Sequence, residues 1–191
     1  MPYPSSGVYK AHETLTFYVT LFGTACTLEQ DVIDAAHDMC EGKLANARLV
    51  EVERIYSMEW NDVGSVPHCD SLTIDFLTPT EIFVQKHTLE QLDFSLFVDR
   101  LFTRISAIID NYGEAEFAIP YNMIVNKPFV QAECELHIVK FQTNNQPISG
   151  ILGNVRYTGD VTRYLPYIDL GCQIHIGKKS TRGCGEYRFE I

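Results

Sequence analysis

The chain lacks the features that mark membrane and secreted proteins. No run of about 20 apolar residues occurs in its 191 residues, so no membrane-spanning helix is expected. Residues 1–11 do not show a basic region followed by an apolar one, so we expect no secretory signal and a cytoplasmic location. The composition, with 46% hydrophobic and 21% charged residues, is typical of a globular protein rather than a disordered chain.

Close cysteine pairs are also absent. The six cysteines include no Cys-x-x-Cys motif, which favours reduced thiols in a protein of this length. Cys172, His175 and Cys184 lie near one another in sequence, but a structural zinc site normally has four ligands and the fourth is missing. The glycines near the C-terminus do not follow the Walker order either. We therefore expect no metal and no other cofactor.

Positive charge is scarce and unevenly distributed. The net charge is −10 and the pI is about 5.0, which weighs against a conventional nucleic-acid-binding protein. Residues 1–139 contain 8 Lys and Arg against 21 Asp and Glu, whereas residues 140–191 contain 7 against 4. The first segment is therefore at −13 and the last at +3. A polyanion is expected to bind the last segment.

Residues 1–60 predict a strand, a helix and a second strand. Apolar and polar residues alternate over 15–22, and Thr27 with Gln30 has the spacing of a capping box before a helix over 28–41. A second alternating stretch predicts a strand over 47–56. This is a partial ferredoxin-like unit. The turn-rich residues 61–70 are predicted to be a linker.

Residues 71–191 predict a complete domain. Its elements follow the order strand, helix, strand, strand, helix, strand, at 71–77, 93–112, 134–140, 148–157, 161–170 and 172–176. A turn over 143–147 joins the two middle strands, and a strand over 186–191 closes the chain. This order is that of the ferredoxin-like fold, an α+β architecture in which an antiparallel sheet carries two helices on one face.

A glycine-rich, basic segment separates the last two predicted strands. Glycines bracket two lysines, an arginine and two hydroxyl residues, in the order Gly177, Lys178, Lys179, Ser180, Thr181, Arg182, Gly183, Cys184 and Gly185. Glycine allows positive φ and close backbone approach, so that N–H groups can converge on a phosphate. We predict an exposed phosphate-binding loop with Gly183 or Gly185 at positive φ. The alternative is an ordinary turn with solvated cations.

Several segments form a recognisable combination. They are H-I-G-K at 175–178, S-T-R-G-C-G-E-Y at 180–187, a strand ending in T-P-T at 72–80, a long helix at 94–113 and G-N-V-R-Y-T-G-D at 153–160. Together they resemble the C-terminal region of the CRISPR-associated endoribonucleases that process CRISPR precursor RNA, within the repeat-associated mysterious protein superfamily. Residues 15–49 are similar to the end of the first domain of that family.

The resemblance implies a function, partners and site residues. It implies metal-independent cleavage of CRISPR repeat RNA, in which the ribose 2′-hydroxyl attacks the neighbouring phosphate. Lys178, Lys179 and Arg182 would stabilise charge, the loop N–H groups would hold the RNA backbone, and Arg156 would lie nearby. Other CRISPR-associated subunits are the further expected partners. The catalytic histidine of the family lies early in its first domain, in a part that this chain is expected to lack, which would make the chain a truncated relative.

Two histidines are candidates for proton transfer. His175 directly precedes the glycine-rich loop, and His37 lies on the first predicted helix beside Asp34 and Asp38. For each, a structural interpretation is favoured: His175 packs against a sheet face from a strand position, and His37 is solvated on the helix surface.

Two other functions remain open from the residues alone. One is a non-catalytic RNA-binding or complex-assembly subunit that uses the same loop. The other is a ferredoxin-like module that binds a metabolite or a protein, with the loop only a turn. An RNA gel shift separates this last function from the others, and a denaturing gel separates cleavage from binding.

Overall fold

A computed structural model describes residues 13–14, 16–42, 47–53, 66–84, 87–88, 91–112, 118–142 and 147–191. The helices are α1 (Glu29–Glu41), α2 (Phe94–Tyr112), α3 (Tyr121–Val125) and α4 (Leu165–Ile174). The strands are β1 (Ser71–Thr80), β2 (Phe83–Val84), β3 (His87–Thr88), β4 (Gln131–Phe141), β5 (Ile148–Thr158) and β6 (Tyr187–Glu190). Short 3₁₀ turns cover Gly23–Leu28, Thr162–Tyr164 and Ser180–Arg182.

The main sheet has four strands in the order β4-β5-β1-β6, and every neighbouring pair is antiparallel. A separate two-stranded sheet, β2-β3, lies between β1 and α2 in the chain. The split β-α-β order and the antiparallel sheet confirm the ferredoxin-like prediction. β1 is a central strand, and it pairs with both β5 and β6. Among the described helices, none is long and apolar enough to span a membrane.

Alternation of apolar residues gives the sheet one buried face. Leu72, Ile74 and Phe76 of β1 are buried, and the residues between them are half-exposed. α2 supplies Phe97 and Leu101 to the same core. Aromatic rings meet edge to face in this core, which adds roughly 0.5–1.5 kcal/mol per pair beyond burial. The buried phenols are satisfied: the hydroxyl groups of Tyr157 and Tyr187 donate to the carbonyls of Leu92 and Ile168.

β1 continues further than predicted. The T-P-T sequence at 78–80 was expected to end the strand, but it belongs to β1, with an irregularity in the pairing to β5 between Phe76 and Thr80. Pro79 lies in this irregular part, as expected for a residue without an N–H group. Glu81 then forms an isolated bridge with Lys178, which brings the end of β1 to the glycine-rich loop.

The two strands predicted before residue 60 are wrong over the residues that the structure describes. Residues 16–22 and 47–53 are not in strands, and their apolar side chains, such as Phe17 and Val50, are exposed. An alternating stretch becomes a strand only where another strand pairs with it. The helix prediction is confirmed, although Leu28 rather than Thr27 occupies the N-cap position, and the Thr27 hydroxyl donates to the Thr24 carbonyl. The rest of these predictions, at residues 15 and 54–60, lies outside the described residues, and the linker over 61–70 stays a prediction.

The strand predicted over 172–176 is also wrong. α4 runs to Ile174, because Ile168, Gly171 and Ile174 recur at the helical spacing and are buried. A 3₁₀ turn precedes α4, and the Asp160 carboxylate accepts the Thr162 N–H at 3.1 Å. The predicted β4-β5 hairpin is confirmed by the pairing of Phe141 with Ile148, while residues 143–146 of its turn lie outside the described residues.

Candidate functional site

The glycine-rich loop, residues 177–185, is attached along the end of β1. The N–H of Lys178 donates to the Glu81 carbonyl at 3.3 Å, and the N–H of Gly185 donates to the Pro79 carbonyl at 3.2 Å. The N–H of Leu77 donates to the Glu186 carbonyl at 2.9 Å, and the N–H of Glu186 donates to the Thr78 hydroxyl at 2.9 Å. The loop is therefore a fixed extension of the sheet.

Glycine is required in this loop for two separate reasons. Gly185 has φ 81°, and a Cβ atom there would lie 1.8 Å from the Ile176 carbonyl oxygen. Gly183 has φ 79°, but a Cβ atom there would meet nothing within 4 Å, so only its backbone conformation favours glycine. The prediction of positive φ at Gly183 or Gly185 is confirmed at both.

Many loop amides already have acceptors within the protein. Besides Lys178 and Gly185, the N–H groups of Arg182, Gly183 and Cys184 donate to carbonyls of the loop itself. These five amides are committed to the fold of the loop. The expected cradle of converging N–H groups therefore does not include them.

The two lysines of the loop differ in their surroundings. The Lys179 ammonium lies 2.7 Å from a Glu81 carboxylate oxygen and 3.1 Å from the Pro147 carbonyl, and the two ionic side chains are only 22% and 10% exposed. This shielded ion pair fixes the loop to β1. Lys178, Thr181 and Arg182 are exposed, whereas Ser180 is half-buried. The exposed side of the loop thus carries Lys178 and Arg182.

Arg156 lies away from this loop. It faces outward on β5 opposite Thr73 of β1, and its Nε donates to the Ser71 hydroxyl at 3.3 Å. Thr80, beside Glu81, pairs with Ile151, and the five residues of β5 from Ile151 to Arg156 correspond to roughly 17 Å. The structure therefore does not bring Arg156 together with Lys178 and Arg182.

His175 is the first residue after α4 rather than a strand residue. Its backbone has φ 59° and ψ 160°, and its N–H closes the helix on the Gly171 carbonyl at 2.9 Å. The ring is half-buried. Burial lowers the pKa of His175 below its ordinary value of 6.5, and nearby Arg104 acts in the same direction, while Glu186 opposes it. The imidazole is therefore neutral at pH 7.

No role was assigned to Arg104 or Glu81 from the sequence. Arg104 is on α2, and its Nε donates to the Ile174 carbonyl, the last of α4, at 3.3 Å. Burial lowers the pKa of Arg104 from its ordinary value. A signal was present for Arg104, because it interrupts the apolar stripe formed by Leu101, Ile105 and Ile108. Glu81 gave no local signal, since its partner is 98 residues away.

The remaining candidates lie in different surroundings. His37 is exposed on α1, a helix with no buried residue. Cys172 is inside α4, and burial raises the pKa of its thiol to about 12, so the thiol stays protonated. In the part of the chain that the structure describes, no group of three or more His, Cys, Asp and Glu side chains is arranged to hold a metal ion.

Comparisons with known proteins place this site in a family. The family model of the CRISPR-associated endoribonuclease Cas6 matches residues 74–187, which run from β1 through the glycine-rich loop to the start of β6. None of the curated proteins matches the chain. The matched range covers more than half of the chain.

Solved structures show the same fold. Cas6 of Thermus thermophilus is similar with a TM-score of 0.53 and 16% identity, over 70% of this chain and 58% of that one. A Cas6 product complex is similar with a TM-score of 0.50 and 14% identity, over 70% of this chain and 56% of that one. A partial Cas6-RT-Cas1–Cas2 complex is similar with a TM-score of 0.57 and 9% identity, over 85% of this chain and 33% of that one. The chain thus spans less than two thirds of the length of these proteins. By the family match, it belongs to the CRISPR-associated endoribonuclease Cas6 family.

Proposed function

We propose that this chain binds CRISPR repeat RNA through the exposed side of the glycine-rich loop and cleaves it without a metal ion. The observation that carries the proposal is the fixed loop at the end of β1, within the range of the family match, with Lys178 and Arg182 on its exposed side. Cations in a fixed loop recognise a phosphate backbone without reading bases.

The charge distribution supports one orientation of the RNA. Residues 140–191 carry a formal charge of +3, whereas residues 1–139 carry −13. A polyanion is attracted to positive side chains and repelled by negative ones. The loop belongs to the positively charged segment, so the RNA backbone is expected to run past Lys178 and Arg182.

The proposed reaction is an internal transfer at phosphorus. The ribose 2′-oxygen forms a bond to the adjacent phosphorus, the bond from phosphorus to the 5′-oxygen breaks, and the products are a 2′,3′-cyclic phosphate and a 5′-hydroxyl. Positive side chains near the phosphate stabilise the charge that develops on its oxygens. DNA lacks the 2′-hydroxyl and is therefore expected not to be cleaved.

The test uses CRISPR repeat RNA from the genome that encodes the chain. A gel shift measures binding, and a denaturing gel run in excess chelator measures cleavage. The control is the same RNA with a single 2′-deoxy nucleotide at the cleavage site, which should bind equally and stay intact. No RNA shift at low salt would contradict the whole proposal, and a shift with no cleavage would leave a non-catalytic RNA-binding subunit.

Assembly with other CRISPR-associated proteins is a second part of the proposal. It is supported by the similarity to the partial Cas6-RT-Cas1–Cas2 complex, in which the matching region is 33% of a longer chain. Co-purification of the tagged chain with the products of neighbouring CRISPR-associated genes, with and without ribonuclease, tests it. A cytoplasmic location belongs to this proposal as well.

A further inference from the structure

β4 is an open edge of the main sheet. It lies at one end of the strand order, and in the described part of the chain β5 is the strand that pairs with it. An edge strand directs about half of its N–H and C=O groups away from its neighbour. In β4 this free edge is 11 residues long. Such an edge is a template on which a further strand can pair.

The core-facing side chains of β4 are incompletely covered. They pair with residues of β5 that point into the core, as Ile138 does with the buried Ile151. Ile138 itself is 37% exposed. A groove of about 810 Å³ is lined by residues 91–93 and by side chains of β4, which include Ala132, Cys134, Leu136 and Ile138. A strand added beside β4 would therefore cover apolar surface as well as satisfy the backbone.

The charged side chains on the other face of β4 restrict which strand can pair there. Glu133, Glu135 and His137 alternate along this face and are exposed. Like charges directly opposite each other in neighbouring strands are destabilising. An added strand must therefore place no acidic residue opposite Glu133 or Glu135, and a basic or imidazole side chain opposite either of them is favourable.

β4 meets this requirement when it pairs with itself in one register. A second copy related by a two-fold axis perpendicular to the sheet runs antiparallel and keeps its helices on the same side. With the axis at Leu136, Glu135 lies opposite the partner's His137, and by symmetry His137 lies opposite the partner's Glu135. The next pairs outward are Cys134 with Ile138, Glu133 with Val139 and Ala132 with Lys140. No carboxylate faces another.

The neighbouring registers are worse. An axis at Glu135 places this residue opposite itself, and an axis at Cys134 places Glu133 opposite Glu135. An axis at His137 sets two imidazoles against each other and loses both pairs of glutamate with histidine. The charges of β4 thus specify the Leu136 register among those that keep the core faces aligned.

We infer that this chain forms a symmetric dimer through antiparallel pairing of β4 with β4 of a second copy. The two four-stranded sheets then form one continuous sheet. Glu135 pairs with the partner's His137 on both sides of the axis, and Leu136 lies on the axis. The inference goes beyond the proposed function, because it uses the β4 edge and not the glycine-rich loop at the end of β1.

The first test is a charge exchange read by sedimentation velocity over a range of protein concentrations. The wild type should show a monomer–dimer equilibrium. His137→Glu should raise the dimer Kd about tenfold or more, because it sets a carboxylate opposite Glu135 at two places. The double variant Glu135→His with His137→Glu exchanges the two groups and should return the Kd to within about threefold of the wild-type value. His37→Glu makes the same substitution at an exposed histidine of α1 and should leave the Kd unchanged.

The second test is a disulfide across the interface. Directly opposite side chains have Cβ atoms about 4.5–5.5 Å apart, which a disulfide can bridge with a small adjustment. Ile138→Cys should therefore form a covalent dimer on mild oxidation, with the new cysteine linked to the partner's Cys134. Val139→Cys is the control, because its side chain points to the other face and lies opposite Glu133. A non-reducing gel and mass spectrometry of the linked peptides measure the outcome.

Each remaining outcome decides the inference. A wild type that stays monomeric at every concentration overturns it, whether or not another CRISPR-associated protein binds at β4. A dimer that tolerates His137→Glu and gives no link to Cys134 uses another surface, which also overturns it. If His137→Glu fails to fold, the exchanged double variant and the disulfide still decide. None of these outcomes bears on the RNA gel shift, so a failure here leaves the proposed function standing.

Discussion

The two ends of β1 hold basic side chains in different ways. At the Glu81 end, Lys179 forms a shielded ion pair, and the adjoining backbone includes His175 and glycines at positive φ. At the Ser71 end, Arg156 is exposed and donates one hydrogen bond to a hydroxyl group. The first end is rigid and strained, and the second is open to solvent. Backbone strain tends to concentrate at functional sites, and this favours the Glu81 end of β1 as the location of the functional site.

The largest expected effect is a loss of stability, and it concerns the close contact between Gly185 of the loop and Ile176. Gly185→Ala would place a methyl group 1.8 Å from the Ile176 carbonyl oxygen at φ 81°. We expect a loss of about 3 kcal/mol or more in the free energy of unfolding, because the clash adds to the backbone strain. Urea denaturation measures it.

Gly183→Ala is the matched control. It has a similar φ of 79° but nothing within 4 Å, so only the strain of about 1 kcal/mol applies. Equal losses of stability in the two variants would contradict a steric clash between a side chain at position 185 and the Ile176 carbonyl oxygen.

The next effect compares a shielded ion pair with an exposed one. Lys179→Met leaves the Glu81 carboxylate without its cation in a site where its side chain is 10% exposed. We expect a loss of about 2–4 kcal/mol, since an unpaired carboxylate in such a site is costly. Thermal and urea unfolding of the variant measure this loss.

Arg188→Met is the control for the ion pair. Arg188 and Asp75 are 3.1 Å apart with side chains 64% and 28% exposed, so the loss should be under about 1 kcal/mol. A smaller loss for Lys179→Met than for Arg188→Met would contradict the anchoring role assigned to Lys179.

These two comparisons also show what the sequence can reveal. β1 and α2 were predictable because their apolar periodicity is long and each element buries the face that the pattern defines. Residues 16–22 have a similar alternation but no strand, because strand formation depends on a distant partner that the local pattern does not contain.

The site was predictable only in part, for the same reason. The need for glycine at 183 and 185 is local and could be inferred from residue type. The pairing of Lys179 with Glu81 joins residues far apart in sequence, and no local pattern predicts it. The backbone of His175 was missed because a short apolar alternation does not distinguish a strand from the last turn of a helix.

A third comparison concerns RNA affinity at the two ends. Arg182→Ala should remove one phosphate contact, which lowers the slope of log Kd against log salt by about 0.7 for single-stranded RNA. Arg156→Ala should change the slope less, because Arg156 is roughly 17 Å along β5 from the residue that pairs with Thr80. Filter binding at several salt concentrations measures both slopes, and a larger change for Arg156→Ala would move the RNA path to the Ser71 end.

The smallest expected effect is the dependence of stability on pH at His175. Its pKa is lowered in the folded protein, first by burial and then by Arg104, so the unfolded chain binds more protons between the folded value and 6.5. The contribution of His175 to the free energy of unfolding therefore rises with pH across this window, is complete above 6.5, and is lost as pH falls through the folded value. His175→Gly removes the titration, while the relief of backbone strain shifts stability by an amount that does not depend on pH. The difference between wild type and variant, measured by urea denaturation from pH 5 to 8, should increase in favour of the wild type as pH rises and then become flat. A difference that stays constant would show that the imidazole at the rigid end of β1 is as well solvated as a histidine in the unfolded chain.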